Sequence, residues 1–494
     1  MRRSGVLMHI SSLPSPYGIG TLGKAAYDFV DFLWEAKQKY WQVLPVNPTG
    51  YGDSPYQSFS VFAGNPYFID LELLQQEGLL LEEEIQQCDF GGSEHYVDYE
   101  KMYTSRYHLL KLAFSRSHLK ENLEYQQFLE ENQFWLDDYA CYMAIKERFE
   151  NQCWLSWDEG VATRFPMAMK IYQQVCSKQI RFQKFMQFYF YRQWKALKQY
   201  ANEKGILLIG DMPIYVALDS SDVWANPELF QLDQKTKRPI QVAGCPPDGF
   251  SPTGQLWGNP LYHWDAMKQN GYQWWIQRTA MASKLFDVIR IDHFRGFDEY
   301  YAIPYGDKTA ENGHWEQGPG YELFQEIEKA LGKQHIIAEN LGFLTPSVFG
   351  LLEKCGFPGM KVLEFAFNPW EDNMYLPHNC GKDSVVYTGT HDNDTVRGWA
   401  DCMPQNQVEY AMDYLNVTQK DQLPWAFIRA AWGTASQLAI APMQDILELN
   451  NDAKMNTPST LGWNWKWRMD RHAITPELAH RLRRITEIYQ RAAY

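Results

Sequence analysis

The stretch TPSVFGLLEKCGFPGMKVLEF (residues 345–365) contains one complete helix-to-strand unit. Thr345 and Pro346 are residue types that open helices, and apolar residues follow them at helical spacing. Gly356 suits the end of that helix, because glycine adopts the left-handed conformation at little cost. KVLEF (361–365) then has the apolar pattern of a buried strand. The stretch therefore predicts a helix, a glycine stop and a short buried strand.

The same unit recurs along the chain. Apolar strands that alternate with helices pair in parallel, and eight such units predict a (β/α)8 TIM barrel. The eight runs with strand character are GVLMHI (5–10), WQVLPV (41–46), ILLIGD (206–211), DVIRID (287–292), HIIAEN (335–340), KVLEF (361–365), SVVYTG (384–389) and QLAIAP (437–442).

Two intervals between predicted strands are too long to be loops. The first is rich in helical patterns, so we predict largely helical subdomains inserted between barrel strands. The predicted division is a discontinuous catalytic barrel over 1–60 and 205–494, a mainly helical subdomain over 61–204, and a second insertion over 212–286 that includes a Pro- and Gly-rich active-site loop at 244–259.

Composition excludes several classes of protein. The 494 residues carry 46 Lys plus Arg and 60 Asp plus Glu, a net charge of −14, which argues against a nucleic-acid partner. No apolar run approaches the roughly 18 residues of a membrane span, and the start lacks a signal peptide, so we expect a cytoplasmic protein without a membrane partner. The eight scattered cysteines are expected to be reduced thiols.

Aromatic residues make up 15% of the chain, with 19 Trp and 30 Tyr. A large core explains many of them. Trp and Tyr also form flat platforms on which sugar rings stack, and composition alone does not separate these two interpretations.

Acidic residues follow four of the predicted strands, at the end where barrel enzymes place their active sites. Asp211 ends the third strand, Asp292 the fourth, Glu339 the fifth, and Asp392 follows the seventh. A single Asp at a strand end is usually a cap or turn former. Four together favour a catalytic cluster.

Arg290 and Asp292 are two residues apart on one strand and share its inward face. We expect the guanidinium to lower the pKa of Asp292 and keep it ionised, as a nucleophile must be. Glu339, about 5 Å away on the next strand, has a predicted raised pKa that suits an acid. Carboxyl groups about 5–5.5 Å apart fit a retaining glycosidase. Asp392 would bind sugar hydroxyls.

A metal site is the main competing interpretation of this cluster. His293 and His391 are possible ligands, but each is equally suited to hydrogen-bond a sugar hydroxyl. The chain lacks the HxH and HExxH spacings and a phosphate-cradling Gly loop. We therefore expect no catalytic metal and no organic cofactor.

Seven segments resemble 4-α-glucanotransferases of the amylomaltase or disproportionating-enzyme family, glycoside hydrolase family seventy-seven, which are relatives of the α-amylases. RIDHFRG alone would also admit an α-amylase, whereas the long segment at 244–262 is far more specific. The matching segments are SSLPSPYGIGTLG (11–23), DSPYQSFSVFAGNP (53–66), GDMPIYV (210–216), GCPPDGFSPTGQLWGNPLY (244–262), RIDHFRG (290–296), AENLG (338–342) and THDNDT (390–395).

The resemblance implies a role for each matching residue. Asp292 would be the nucleophile, Glu339 the general acid and base, and Asp392 the transition-state stabiliser. Substrate-binding roles are implied for Arg290, which orients the nucleophile, for Asp211, His391 and Tyr56 at subsite −1, for Ser54, Gln255, Trp257 and Asn464 at neighbouring glucosyl units, for Phe365 at the acceptor side, and for Tyr51 at a secondary glucan site.

The segment MNTPSTLGWNWKWR (455–468) departs from the family pattern. It carries Ser459 and Trp463 where glycines are often found, which affects the expected loop shape near the acceptor site. The pair Asn464–Trp465 is retained.

The resemblance implies transfer of α-1,4-glucan segments between maltodextrins, with glucose as a further acceptor. Two alternatives stay open: an α-amylase-like retaining hydrolase and a non-catalytic glucan-binding protein. The sequence leaves the oligomeric state undetermined.

Overall fold

The computed structural model describes residues 2–50, 52–247 and 251–492. The strands of this part of the chain are β1 (Arg3–Leu7), β2 (Tyr40–Gln42), β3 (Leu207–Met212), β4 (Gln241–Cys245), β5 (Gln255–Pro260), β6 (Val288–Ile291), β7 (Glu299–Pro304), β8 (His314–Gln317), β9 (Ile336–Ala338), β10 (Gly359–Val362), β11 (Ser384–Tyr387) and β12 (Leu438–Pro442).

The α-helices are α1 (Lys24–Glu35), α2 (Leu71–Gln76), α3 (Glu82–Gln86), α4 (Tyr99–Arg116), α5 (Leu123–Arg148), α6 (Glu159–Ala162), α7 (Pro166–Val175), α8 (Ser177–Glu203), α9 (Ser221–Ala225), α10 (Trp264–Gln269), α11 (Gln273–Leu285), α12 (Tyr321–Leu331), α13 (Pro346–Cys355), α14 (Val396–Cys402), α15 (Gln405–Leu415), α16 (Leu423–Gly433), α17 (Met443–Ile446) and α18 (Pro476–Ile488).

The predicted (β/α)8 barrel is confirmed. Eight parallel strands close on themselves in the order β1-β12-β11-β10-β9-β6-β3-β2, and each of the eight predicted runs overlaps one of them. Their side chains are almost all buried, as expected for a parallel sheet covered on both faces. The barrel brings the carboxyl ends of all eight strands to one mouth.

Six of the eight barrel strands end earlier than their apolar patterns suggest. KVLEF was expected to be strand throughout, but β10 ends at Val362 and a 3-10 helix occupies Leu363–Phe365. Helix α13 begins as predicted, with Thr345 at the N-cap position. The Thr345 hydroxyl lies 2.8 Å from the Ser347 hydroxyl and does not cap the helix. The residues that follow these shortened strands form the loops that line the mouth of the barrel.

Seven α-helices, α2 to α8, lie between β2 and β3. The long helices α5 and α8 pack on each other through aromatic contacts such as Tyr125 with Phe188, at a ring-centroid distance of 5.3 Å. The predicted bounds of the subdomains stay a prediction, because helices of this region also pack against the barrel, as the Trp194 indole does by donating to the carbonyl of Leu285.

A four-stranded antiparallel sheet, in the order β5-β4-β7-β8, was not predicted from the sequence. Its strands come from two segments on either side of barrel strand β6. β4 pairs with β7 from Gln241 opposite Pro304 to Gly244 opposite Tyr301. The sheet fixes β5, and with it the segment that resembles the family's active-site loop.

Within the described ranges, no helix combines the length and the apolar character needed to cross a membrane.

Candidate active site

Asp292 and Glu339 each follow directly after a strand residue, and these two strand residues are paired on neighbouring barrel strands. Ile291 of β6 is in register with Ala338 of β9. The backbone N–H of Glu339 donates to the carbonyl of Ile291 at 2.9 Å, and that of Asp292 donates to the carbonyl of Met212 at 3.0 Å. The strand pairing thus continues to the two carboxylates. Neighbouring strands lie about 4.8 Å apart, so the two residues share the mouth of the barrel.

Arg290 connects the nucleophile candidate to a second carboxylate. Its Nη1 lies 2.6 Å from both carboxylate oxygens of Asp211 and 3.1 Å from Oδ1 of Asp292. The Tyr56 hydroxyl donates to Asp211 at 2.8 Å. Arg290 and Asp211 are almost fully buried. Residues from three separate segments therefore fix the position of Asp292.

Glu339 is held by backbone donors. One of its oxygens accepts the N–H of His293 and the other accepts the N–H of Leu341, both at 2.7 Å. His293 adopts a left-handed conformation with φ of 50°, which is uncommon for a residue with a side chain. This turn directs the His293 N–H towards Glu339, one residue after Asp292.

The pKa of Asp292 corrects one expectation. Burial raises the pKa well above its usual range, the nearby Arg290 lowers it, and the negative charges of Asp211, Glu339 and Asp392 raise it again. The predicted effect of Arg290 is present, but the guanidinium is shared with Asp211 and does not outweigh burial. Burial also raises the pKa of Glu339, in the predicted direction. The two carboxyl groups therefore titrate as a pair that retains a proton.

Asp392 and His391 lie on the loop after β11. The Asn456 amide donates to Oδ1 of Asp392 at 2.6 Å, and Nε2 of His391 lies 3.4 Å from Oδ2. The His391 ring stacks on the Tyr56 ring with centroids 5.2 Å apart and planes at 14°. Burial lowers the pKa of His391, so its imidazole is neutral near pH 7. This contact brings Asp392 next to the Tyr56–Asp211 pair.

Strand β5 covers one side of the cluster. The Trp257 ring meets the His293 ring edge-on, with centroids 4.8 Å apart, and its indole N–H donates to the Gln255 side chain at 3.1 Å. The Ser54 hydroxyl accepts the N–H of Tyr56 at 3.3 Å. Through these contacts Ser54, Gln255 and Trp257 adjoin the residues around Asp292 and Glu339.

Two predicted binding residues make contacts with other parts of the chain. The Asn464 side chain bonds within its own loop, to Thr457 and Thr460. The Phe365 ring packs on Tyr375 at 5.7 Å. Tyr51 lies outside the described residues.

Two residues of the site received no role in the sequence analysis: Asn456 donates to Asp392, and the Trp465 ring lies 5.7 Å from that of Tyr56. His293, which was considered there only as a metal ligand or a donor to a sugar hydroxyl, donates its backbone N–H to Glu339. The signal for His293 is its place between Asp292 and the rest of RIDHFRG. Asn456 gives no signal, because it reaches the site only through the fold of the last loop.

In the described ranges, no group of three or more His, Cys, Asp or Glu side chains is arranged to hold a metal ion.

Comparisons with known proteins identify relatives of high similarity. The profile of glycoside hydrolase family 77, described as 4-alpha-glucanotransferase, matches residues 8–474. A 4-alpha-glucanotransferase of Streptococcus pneumoniae (strain TIGR4) is 49% identical over 497 residues, covering 99% of this chain and 97% of the relative. One from Clostridium butyricum is 46% identical over 485 residues, covering 98% and 100%.

Solved structures agree with these relatives. The amylomaltase of Streptococcus agalactiae in complex with acarbose superposes with a TM-score of 0.97 at 44% identity, over 100% of both chains. The amylomaltase of Corynebacterium glutamicum, at 18% identity and a TM-score of 0.77 over 99% of this chain and 74% of its own, shares the fold. The profile and the relatives span nearly the whole chain, and the chain therefore belongs to the 4-α-glucanotransferase family, glycoside hydrolase family 77.

Proposed function

We propose that this 4-α-glucanotransferase transfers α-1,4-glucan segments between maltodextrins by a retaining double displacement, with Asp292 as nucleophile and Glu339 as acid and base. The observation that carries the proposal is the pairing of the two strands that lead into these carboxyl groups, with Nη1 of Arg290 3.1 Å from Asp292. The charge of Arg290 lowers the pKa of both groups, and its direct contact is with Asp292, so we assign the proton of the pair to Glu339.

In the first step Glu339 gives its proton to the glycosidic oxygen while a carboxylate oxygen of Asp292 attacks the anomeric carbon. The C–O bond to the leaving glucan breaks, and a β-linked glucosyl ester forms on Asp292. The backbone donors of His293 and Leu341 stabilise the carboxylate that Glu339 becomes. This carboxylate is the base for the second step.

In the second step Glu339 accepts the proton of an acceptor 4-hydroxyl, whose oxygen attacks the anomeric carbon and displaces Asp292. Two inversions restore the α-configuration and return the proton to Glu339. Asp392, hydrogen-bonded by Asn456, would stabilise the transition state by holding hydroxyls of the distorted ring.

The remaining residues are proposed to bind sugar around this centre. Tyr56, Asp211 and His391 would hold the glucosyl unit at subsite −1, since they surround Asp292 and carry donors and acceptors. Ser54, Gln255, Trp257, Phe365 and Asn464 would contact neighbouring units.

Transfer requires that a sugar hydroxyl outcompete water at ~55 M, and oriented groups reach effective molarities of 10⁵ M or more. Trp257 is the proposed platform and cover on the acceptor side, because β5 places it against His293, whose N–H binds Glu339. A second glucan would occupy this space in place of water.

Incubation with maltotriose tests the proposal. We expect glucose together with longer maltodextrins, while the total number of reducing ends stays constant, since every bond broken is replaced by another. An α-amylase-like hydrolase would instead raise the number of reducing ends with each bond cleaved. Glucose as an acceptor and a cytoplasmic location stay predictions, and labelled glucose appearing in maltodextrins would test the first.

A further inference from the structure

The loop that carries Asp392 begins at Thr388, directly after β11, and ends at Val396, where α14 starts. Asp392 lies near its middle, with a side chain that is 44% exposed. A catalytic carboxylate must be held within about 0.5 Å of its productive position. The loop therefore needs support from residues outside it.

Asp445 of α17 contacts both ends of this loop. Its Oδ2 accepts the Thr388 hydroxyl at 2.6 Å, and its Oδ1 accepts the Val396 N–H at 2.8 Å. The side chain is 1% exposed, so these bonds do not compete with water. One carboxylate thus joins the first and last residues of the loop, with one oxygen for each.

Glu364 lies beneath the start of the loop. Its backbone N–H donates to the Thr388 carbonyl at 3.2 Å, and a Cβ at Gly389 would come within 2.2 Å of its Oε1. The side chain is 6% exposed, and Oε1 has no hydrogen-bond partner among the described residues. Glu364 therefore packs against the loop next to Thr388, the residue whose hydroxyl donates to Asp445.

The charges around this support are few. Asp394 is paired with Lys454 at 2.9 Å, and Asp445 is the other carboxyl group near Glu364. Burial and these two carboxylates raise the pKa of Glu364 well above its usual range, which disfavours a further negative charge beside the loop.

We propose that Asp445 is a positioning residue that holds the Asp392 loop in its catalytic shape without contacting the sugar. The inference rests on the proposed function, because the shape of the loop matters for catalysis only through the proposed role of Asp392. We therefore expect a substitution at Asp445 to lower activity only where Asp392 is intact.

A double-mutant cycle tests this coupling. Asp445→Asn keeps the shape but leaves a single acceptor oxygen, so one end of the loop is released. We expect kcat on maltotriose to fall about 10- to 100-fold, as for a misplaced catalytic group, with KM within about twofold of wild type. In the Asp392→Asn background the same change should lower kcat less than about threefold.

Acarbose affinity, measured by calorimetry, gives a readout that does not need turnover. Asp445→Asn should weaken acarbose binding in the wild-type background and leave it unchanged in the Asp392→Asn background. Thr388→Val removes one donor to the same carboxylate and is the second variant, for use if Asp445→Asn does not fold.

Asp70→Asn is the matched control. Asp70 is buried like Asp445 and accepts the same kinds of donor, the Thr21 hydroxyl at 2.6 Å and the Leu73 N–H at 3.0 Å, at the start of α2. The Asp70→Asn substitution should lower the melting temperature of the protein and leave kcat unchanged. Equal losses for Asp445→Asn in both backgrounds, or an unchanged kcat, would overturn the inference. Full activity of Asp392→Asn alone would overturn the role of Asp392, and this inference with it.

Discussion

At the scale of single residues, the site depends on how one positive charge is shared. Arg290 contacts Asp211 and Asp292 together, and burial raises the pKa of Asp292 and of Glu339. These raised pKa values favour a pair of carboxyl groups that shares a proton. A double displacement needs this state, since it requires one acid and one nucleophile at the same pH.

Glu339→Gln tests the acid role. The amide cannot donate a proton to a sugar leaving group, so kcat on maltotriose should fall about 10³- to 10⁴-fold. A maltoside with a dinitrophenyl leaving group needs little acid assistance, and its first step should be nearly unaffected. Burst kinetics with both substrates measure the difference, and equal losses on both would refute the assignment.

The sequence predicted the residues on strand ends better than those on loops. Asp211, Arg290, Asp292 and Glu339 follow from barrel topology, because strand register fixes which side chains reach the mouth. Asn456 reaches Asp392 through a loop that follows β12 by more than ten residues, and no local pattern encodes that return. The pKa of Asp292 also required the structure, since burial outweighs the neighbouring charge.

At the scale of elements, the antiparallel sheet determines where the cover of the site lies. Gly244 of β4 faces Leu256 of β5, and a Cβ there would come within 2.1 Å of the Gln255 carbonyl oxygen. The two strands therefore approach as closely as glycine allows. The position of Trp257 depends on this approach.

Gly244→Ala should displace β5 and with it Trp257, while Asp292 and Glu339 stay in place on the barrel. We expect the fraction of donor lost to water to rise several-fold, with donor cleavage slowed much less, because acceptor orientation is lost before the chemistry is. With maltotriose as substrate, the number of new reducing ends divided by the amount of glucose released gives this fraction. Gly92→Ala, at an exposed position with open space around it, controls for the loss of a glycine, and an unchanged ratio in Gly244→Ala would contradict the role of the sheet.

Parallel barrel strands were predictable because each is a short, fully apolar run between helices. The sheet of β4, β5, β7 and β8 was not, because β6 separates its halves and because β8 is largely exposed and lacks an apolar pattern. Its pairing is a property of the folded chain.

At the scale of the whole molecule, buried ionisable groups make stability depend on pH. His9, at the end of β1, packs edge-on against Phe68, and burial, followed by the charge of His391, lowers its pKa to about 3. The unfolded chain takes up this proton near pH 6.5, whereas the folded chain does not. Neutral His9 therefore makes its full contribution to the free energy of unfolding above pH 6.5, and this contribution is lost as the pH falls towards 3.

Replacing His9 by Gln removes this titration. Between pH 7 and pH 5 the wild type should lose about 2 kcal/mol more of its free energy of unfolding than His9→Gln does. Urea unfolding at the two pH values measures both, and all other titrating groups are common to the pair. Parallel pH profiles would show that His9 does not carry the effect.

The central claim is that Asp292 forms a covalent bond to the sugar while Glu339 manages the proton. The most direct test is to trap the intermediate in Glu339→Gln with an activated maltosyl donor and to map the labelled peptide by mass spectrometry. The account predicts one glycosyl ester, located on Asp292 and absent from Asp292→Asn. A label on another residue, or turnover in Asp292→Asn equal to wild type, would contradict it.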